Sequence, residues 1–353
     1  LVTAIKVTEA GSRPARWHAT CSPPRDDMAD LASTYLGLPL RSPVVASASP
    51  LTREVASIRQ LEDAGGGAAV LFSLFEEQFV PNRPVESGRP WSTLGRDSYP
   101  IDAGEFAIKP PEYLDFIRQV KAAVNIPIVA SLNVAHPDRW IQYAAMMEQA
   151  GADALELDLY TIPADPMVSG AEIESRYAEI VTAVREAVTI PIAIKLAPYF
   201  TSVAAVAGRF DEIGVNGIVL FNRFYQPTID IEERRIVTSL ELSDSYDGRL
   251  PLMWIAMLSG QVNADLAATG GVHTVEDAVR MFMAGAAVVM MCSALLRNGV
   301  PYLTKIRDDL SQWLDDHGHA SLAEVRGVMS LARYDNPEDF KRAGYAKVIN
   351  RYW

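Results

Sequence analysis

The sequence predicts a (β/α)8 TIM barrel, a closed ring of eight parallel strands surrounded by helices. From residue 43 onward, short apolar runs alternate with amphipathic segments. Several amphipathic segments end in glycine just before the next apolar run, as in EQAGADALEL, DEIGVNGIVL and FMAGAAVVMM. Glycine is the usual residue after a helix, and nearly continuous apolar strands indicate a parallel sheet covered on both faces. A doubly wound open sheet is the alternative, because periodicity does not reveal closure.

The predicted strands and helices alternate along the chain. Strands are predicted over residues 43–49, 68–74, 127–133, 154–159, 191–197, 217–223, 264–271 and 287–295. Helices are predicted over 53–64, 111–124, 137–150, 170–187, 202–213 and 274–284. Two connections, 76–110 and 224–250, are too long to be simple helices, and loops of this length are usually functional. In a barrel both would follow the carboxyl ends of strands, the face where catalytic loops gather.

The barrel is expected to occupy residues 28–327. Residues 1–27 contain arginines and prolines but no apolar core of a signal peptide, so we expect a flexible tail or an upstream mis-start. Residues 328–353 are polar with several aromatic side chains. This extension is expected to be helical in part and to pack on the barrel or lie at a subunit contact.

Composition excludes several classes of partner. The formal net charge of −12 disfavours nucleic acid and anionic membrane surfaces, which both attract basic proteins. Two cysteines cannot build a disulfide framework, which fits the cytoplasm, and their spacing from histidines is not typical of a metal site. No apolar run approaches the roughly 20 residues of a membrane span. A small-molecule substrate is expected, and a homodimer or a redox partner protein stays open.

Polar side chains close most of the predicted strands. They are Ser47, Ser49, Ser73, Ser131, Asn133, Asp158, Lys195, Asn222, Arg223, Thr269, Cys292 and Ser293. In a barrel they line one mouth, and a polar ring around a cation and a carboxylate indicates a small-molecule site. Lys195 interrupts the apolar strand IAIKL, where an unpaired charge is costly. The alternative for Lys195 is a structural ion pair with Asp158.

Glycines at the end of the seventh predicted strand suggest a phosphate site. ATGGV ends that strand, and MCSALL ends the eighth before the next helix. Loops after the last two strands of such barrels commonly bind phosphate, through backbone N–H groups and a helix N-terminus. Gly270, Gly271 and Ser293 are the candidates, and a tight turn without a ligand is the alternative.

Taken together, these motifs resemble the dihydroorotate dehydrogenase family, flavoenzymes that carry FMN on a (β/α)8 barrel. The similarity runs from about residue 36 to about residue 327 and rests on YLGLPLRSPVVASAS, EQAGADALELDL, IPIAIKLAPYF and ATGGVHTVEDAVRMFMAGAAVVMMCSALL. The resemblance implies that Lys195 contacts the flavin ring and favours the negative charge of the reduced flavin. It also implies the remaining cofactor contacts: Gly270, Gly271 and Ser293 at the phosphate, and Ser47, Ser73, Ser131, Asp158, Asn222 and Cys292 along the ribityl chain and ring.

The substrate side departs from the family pattern. After strand four the family has Asn-Leu-Ser-Cys-Pro-Asn, with Cys or Ser as the catalytic base, whereas this chain has DLYTIP. Thr161 stands at the position of the family's catalytic base, and Asp158 stands at the position of the first asparagine. Asp158, Asn222 and Arg223 are the expected substrate contacts. The family's asparagine-rich segment after strand two has no counterpart, and Phe72 stands where the family has a lysine.

The resemblance implies an FMN-dependent oxidoreductase that acts on CH–CH bonds in pyrimidine biosynthesis, oxidising dihydroorotate or a related reduced ring by two-electron transfer to FMN. Because asparagine amides of the substrate side are lost, dihydroorotate itself is expected to react slowly. Two other functions stay open. One is a flavin-free barrel lyase or aldolase in which Lys195 forms a Schiff base. The other is a non-catalytic flavin-bearing subunit of an electron-transfer complex.

Overall fold

A computed structural model describes residues 29–75, 110–133, 137–237 and 240–350 of the chain. Its strands, in chain order, are β1 Ser33–Tyr35, β2 Leu38–Leu40, β3 Val44–Ala46, β4 Ala69–Val70, β5 Leu74–Phe75, β6 Ile128–Asn133, β7 Ala154–Leu159, β8 Ile192–Leu196, β9 Gly217–Leu220, β10 Thr228–Asp230, β11 Arg235–Val237, β12 Asp265–Thr269 and β13 Val288–Met291.

Eight of these strand positions close into a parallel barrel. The order is β3, β4, β6, β7, β8, β9, β12, β13 and back to β3, and β5 extends the second position alongside β6. β13 pairs with β3 and β4 pairs with β6, so the sheet has no free edge within the ring. The predicted closed barrel is therefore confirmed, and the doubly wound alternative is wrong.

The helices cover the outside of the barrel. They are α1 Val55–Asp63, α2 Pro110–Ala123, α3 Pro137–Gln149, α4 Gly170–Ala187, α5 Val203–Ile213, α6 Arg249–Leu258, α7 Val275–Ala284, α8 Ser293–Asn298, α9 Pro301–Asp316 and α10 Arg342–Ile349. The six predicted helices are confirmed, whereas α6, α8 and α9 were not predicted. The predicted eighth strand ran too far, because β13 ends at Met291 and α8 already begins at Ser293.

Local sequence explains where the helices begin and end. The Ser169 hydroxyl accepts from Glu172 N at the start of α4, and Ser202 does the same for Ala205 N at the start of α5. Such caps satisfy N–H groups that have no partner inside the helix. α5 ends at Gly214, whose φ of 90° lies in the left-handed region that glycine adopts without strain.

Alternation along the strands separates two cores. The inner core consists of small and β-branched side chains that fill the barrel, namely Val45, Val70, Val129, Ala154, Ala193, Val219, Ala267 and Val288. The larger outer core lies between the strands and the helices and includes Leu155, Leu157 and Ile194. Neighbouring residues of one strand therefore belong to different cores, as a period of two requires.

The hairpin of β1 and β2 closes the amino-terminal end of the barrel. Tyr35 and Leu36 are buried within the inner core, and the Leu36 N–H donates to Asp265 Oδ2 over 3.0 Å at the start of β12. Gly217 allows this contact, because a Cβ there would lie 2.5 Å from Leu36 Cδ2. With this end filled, the mouth at the carboxyl ends of the strands is the open one.

The loops at the open mouth are described in part. The predicted long loop 76–110 lies almost entirely outside the described residues, as do residues 1–27. The other long loop, 224–250, contains the β10–β11 hairpin and a 3-10 turn at Ser245–Gly248. α10, in the carboxyl-terminal extension, buries none of its residues. Within the described ranges, no helix is both long and apolar enough to cross a membrane.

Removing the hairpin contact should destabilise the barrel. We expect Leu36→Ala to lower the free energy of unfolding by about 2–4 kcal/mol, since it deletes a fully buried side chain and leaves a cavity. Leu38→Ala in the same hairpin removes a half-buried leucine and should cost clearly less. Urea unfolding followed by far-UV circular dichroism measures both. Equal losses for the two variants would show that Leu36 is not what anchors the hairpin.

Candidate functional site

A buried ion pair lies inside the barrel near its open mouth. Ala193 belongs to the inner core, so strand alternation directs Lys195, two residues later on β8, into the barrel. Lys195 Nζ lies 3.4 Å from Glu156 Oε1 on the neighbouring strand β7. Lys195 is 7% exposed and Glu156 is 0% exposed. The alternative of a structural ion pair with Asp158 is not observed as a direct contact, because Glu156 is the ion-pair partner of Lys195.

Sequence analysis missed Glu156, although a signal was present. Glu156 and Asp158 are two residues apart in ALELDL, so they face the same side of the strand. A charge in an apolar strand is the same signal that pointed to Lys195.

The environment of Lys195 keeps it charged. Burial lowers the pKa of its ammonium group, but the carboxylates of Glu156 and Asp158 raise it more, so the pKa lies above the usual value for lysine. An amine must be deprotonated to attack a carbonyl, and Schiff-base lysines have lowered pKa values. The geometry therefore argues against the lyase or aldolase alternative.

Asp158 lies at the mouth in a hydrogen-bonded setting. It is 5% exposed, Asn222 Nδ2 donates to its Oδ1 over 2.6 Å, and Asn133 Nδ2 donates to its backbone carbonyl over 3.0 Å. Burial raises the pKa of the carboxyl group, Lys195 opposes that shift and Glu156 adds to it, which brings the pKa to about 6. The structure thus brings Asp158 and Asn222 together as one pair beside Lys195.

The predicted serines lie on or just after β3, β4 and β6, and Ser131 on β6 pairs with Glu156 of β7. Ser73 Oγ and Ser131 Oγ are hydrogen-bonded over 2.7 Å, and Ser47 and Ser131 are buried. Tyr113 reaches these strands from α2, where its hydroxyl donates to the backbone carbonyl of Phe72 over 3.0 Å. These hydroxyls give this part of the barrel donors and acceptors without net charge.

Gly271 and Ser293 meet through Ser243, a residue that the sequence analysis did not identify. The Ser243 N–H donates to Ser293 Oγ over 3.1 Å, and the Gly271 N–H donates to Ser243 Oγ over 3.4 Å. His273 Nε2 lies 3.2 Å from the same hydroxyl, and Arg297 Nη1 donates to the Ser243 carbonyl over 2.7 Å. The ends of the last two barrel strands and the loop after the sixth therefore form one polar cluster.

The two candidate glycines differ in what surrounds them. Both have positive φ, 84° at Gly270 and 77° at Gly271. A Cβ on Gly271 would lie 2.0 Å from Gly248 N, so this glycine is required by backbone packing. A Cβ on Gly270 would meet no atom of the described residues within 4 Å, so this position borders open space. Gly270 is therefore the glycine at which a ligand can approach the backbone.

The remaining candidates occupy the loops and the end of the eighth strand. Thr161 Oγ1 accepts a hydrogen bond from the Tyr177 hydroxyl over 2.6 Å. Arg223 Nη1 lies 2.8 Å from Asp247 Oδ1, so its charge is used to hold a loop. Burial raises the pKa of the Cys292 thiol and nearby Lys195 lowers it, with a net rise that disfavours the thiolate. Among the described residues, no three His, Cys, Asp or Glu side chains are grouped as a metal site requires.

Comparison with known proteins identifies similar chains. The family model for dihydroorotate dehydrogenase matches residues 111–314. A protein of Aeropyrum pernix assigned as a dihydroorotate dehydrogenase A (fumarate) is 28% identical over 86% of this chain and 98% of its own length. The catalytic subunit of dihydroorotate dehydrogenase B (NAD(+)) from Methanothermobacter thermautotrophicus is 26% identical over 84% of this chain and 98% of its own. The corresponding subunit from Methanosarcina acetivorans is 25% identical over 83% and 94%.

The raised pKa of Asp158 predicts a pH-dependent stability. A carboxyl group whose pKa rises on folding from 3.8 to about 6 stabilises the folded state below pH 3.8, and this contribution is lost as the pH rises through 6. This rise in the pKa of Asp158 corresponds to about 3 kcal/mol of stability. Asp158→Asn should therefore remove part of the decline in stability between pH 4 and pH 7.

Denaturation at several pH values measures this difference. Asp115→Asn, which removes an exposed carboxylate on α2, is the control and should leave the pH profile unchanged. A profile for Asp158→Asn that parallels the unaltered protein would show that Asp158 titrates normally.

Proposed function

The chain belongs to the dihydroorotate dehydrogenase family, and we propose that it is an FMN-dependent enzyme that oxidises dihydroorotate or a related reduced ring. Family membership makes it an oxidoreductase that acts on CH–CH bonds of a small molecule. The observation that best supports this proposal is Lys195, a buried ammonium group that stays charged at the open mouth of the barrel. We further propose a role in pyrimidine biosynthesis in the cytoplasm.

The described residues of the mouth fit FMN. Gly270 borders open space at the polar cluster of Gly271, Ser243 and Ser293, where neutral donors suit a phosphate. The hydroxyls of Ser47, Ser73 and Ser131 suit a polyhydroxyl chain. When bound, FMN supplies the capacity to accept two electrons, which no amino-acid side chain of the site has.

Two side chains then have distinct tasks. Lys195 holds a fixed positive charge where negative charge increases during the reaction. Its ion pair with Glu156 orients the ammonium group. Thr161 is our candidate for the group that removes the substrate proton at Oγ1. The hydrogen bond from Tyr177 fixes the position of that oxygen. We assign Asp158 and Asn222 to the substrate and Cys292 to the cofactor.

The first test is whether FMN copurifies and depends on Gly270. We expect a yellow protein that absorbs near about 450 nm, as oxidised flavins do. Gly270→Ala should weaken FMN binding at least tenfold, because the new Cβ occupies the space next to the backbone. Gly260→Ala is the matched control, since Gly260 has a similar φ of 83° but lies before β12 at the closed end. Equal flavin loss in both variants would assign the effect to backbone strain.

The second test is the reduction potential of bound FMN. The double variant Lys195→Met/Glu156→Gln removes the cation without leaving a buried unpaired carboxylate. We expect the potential to fall by about 60 mV, which corresponds to a loss of about 3 kcal/mol for a two-electron couple. Lys121→Met/Asp153→Asn removes an ion pair of the outer layer and should leave the potential unchanged. An unchanged reduction potential in the variant without Lys195 would show that Lys195 is only a structural partner of Glu156.

A further inference from the structure

One oxygen of the Asp158 carboxylate is available to a ligand. Oδ1 accepts from Asn222 Nδ2 over 2.6 Å. Among the residues that the structure describes, no direct hydrogen bond is formed to Oδ2, although the Asn133 amide lies close enough to the carboxyl group to lower its pKa. Unlike Glu156 Oε2, Oδ2 is not sealed from solvent. A carboxylate that is 5% exposed and has a direct hydrogen bond on one oxygen only loses much of its hydration. A ligand N–H group at Oδ2 would replace part of that hydration.

The amides of Asn222 and Asn133 both donate to Asp158. Asn222 uses an N–H of its amide on Asp158 Oδ1, so its amide oxygen stays an acceptor. Asn133 likewise uses an N–H on the Asp158 carbonyl over 3.0 Å. The Asp158–Asn222 pair thus presents two oxygen acceptors, Asp158 Oδ2 and Asn222 Oδ1. Such an edge matches a ring that carries N–H donors.

Charge at this edge disfavours an anionic ligand. Glu156 and Asp158 together carry two negative charges, and among the described residues the cation in contact with them is Lys195, which is bound to Glu156 over 3.4 Å. Arg223, which follows Asn222 in the chain, is bound to Asp247 over 2.8 Å. A carboxylate placed next to Asp158 would therefore be repelled without gaining a cation of its own from these groups.

We propose that the Asp158–Asn222 pair selects an uncharged ring with N–H donors and rejects rings that carry a carboxylate. Because this names the ligand class of the site proposed above, it rests on that proposed function. Asp158 is then a specificity-determining residue, and the preferred ring is a lactam or amide heterocycle without an acidic substituent. Dihydroorotate, which carries a carboxylate, would be a poor ligand for this chain.

Three probes separate the two parts of the proposal. Uracil has ring N–H donors and no carboxylate, 1,3-dimethyluracil lacks the donors, and orotate has both donors and a carboxylate. We expect calorimetry on the FMN-saturated protein to show uracil binding at least tenfold more tightly than either of the others. Asp158→Asn should remove most of the advantage over orotate, because an amide can also donate and carries no charge. Asp115→Asn should bind all three probes as the unaltered protein does.

The pH dependence provides a second readout on the unaltered protein. The titratable groups that face Asp158 are Glu156, Lys195, Tyr160 and Tyr177, and the pKa of Asp158 itself is raised to about 6. Uracil stays uncharged from pH 5 to pH 8, so a loss of affinity below pH 6 would report protonation of the acceptor. We expect that loss, and we expect it to be absent in Asp158→Asn.

Several results would overturn the proposal. They are no measurable uracil binding, orotate binding as tightly as uracil, dimethyluracil binding as tightly as uracil, or ring affinities that do not change in Asp158→Asn. Flavin content is measured separately by absorbance. A colourless protein that cannot be loaded with FMN contradicts the proposed function, whereas a yellow protein that prefers orotate contradicts only the ring selectivity.

Discussion

The buried ion pair of Lys195 and Glu156 is the interaction on which the barrel interior depends. Each charge loses its hydration inside the barrel, and the partner returns only part of that loss. Removing one partner of such a pair typically costs about 3–5 kcal/mol, whereas well-packed apolar replacements of the whole pair are often neutral. Stability alone therefore does not explain why two charges lie in this core. Their position at the open mouth favours a role in the chemistry of a bound ligand.

The register of β7 and β8 brings Lys195 and Glu156 together and also buries polar atoms beside them. Glu156 lies opposite Ala193, and Asp158 lies opposite Lys195, so the long lysine side chain reaches past the small alanine to the glutamate. A shift of one residue would direct Lys195 into the outer core. Below the pair, Glu156 Oε2 and the Tyr35 hydroxyl are both sealed without a partner among the described residues. Burial raises the pKa of Tyr35, and the negative charge of Glu156 raises it further. The β1–β2 hairpin and the ion pair are therefore electrostatically linked.

Much of this arrangement could be predicted from the sequence, and the missing parts have identifiable causes. The strands and six helices followed from periodicity, which is a local property. α6 was missed because RLPLMWIAML is apolar on nearly every side and contains a proline. Glu156 was predictable from alternation. Ser243 and Tyr177 were not, because they meet Gly271 and Thr161 only through contacts between separate loops and helices. Gly271 was read as a ligand contact, whereas its packing on Gly248 already requires a glycine.

Cations near the polar cluster hold a loop instead of remaining available to a ligand. Arg223 binds Asp247 and donates to the Glu241 carbonyl, and Arg297 donates to the carbonyls of Leu242 and Ser243. These bonds hold the loop next to the carboxyl ends of β12 and β13. An anion at the cluster would then be bound mainly by hydroxyl and backbone N–H groups, which are neutral donors.

Charge is thereby distributed unevenly across the open mouth. Neutral donors lie around Ser293, and acceptors are supplied by the pair of Asp158 and Asn222. Lys195 supplies a buried ammonium group, and its pKa stays high because two carboxylates face it. A ligand with an anionic tail and an electron-accepting ring suits the neutral donors and the lysine, and an uncharged ring with N–H donors suits the acceptor pair. The same two carboxylates that keep the lysine charged therefore also restrict what can bind beside it.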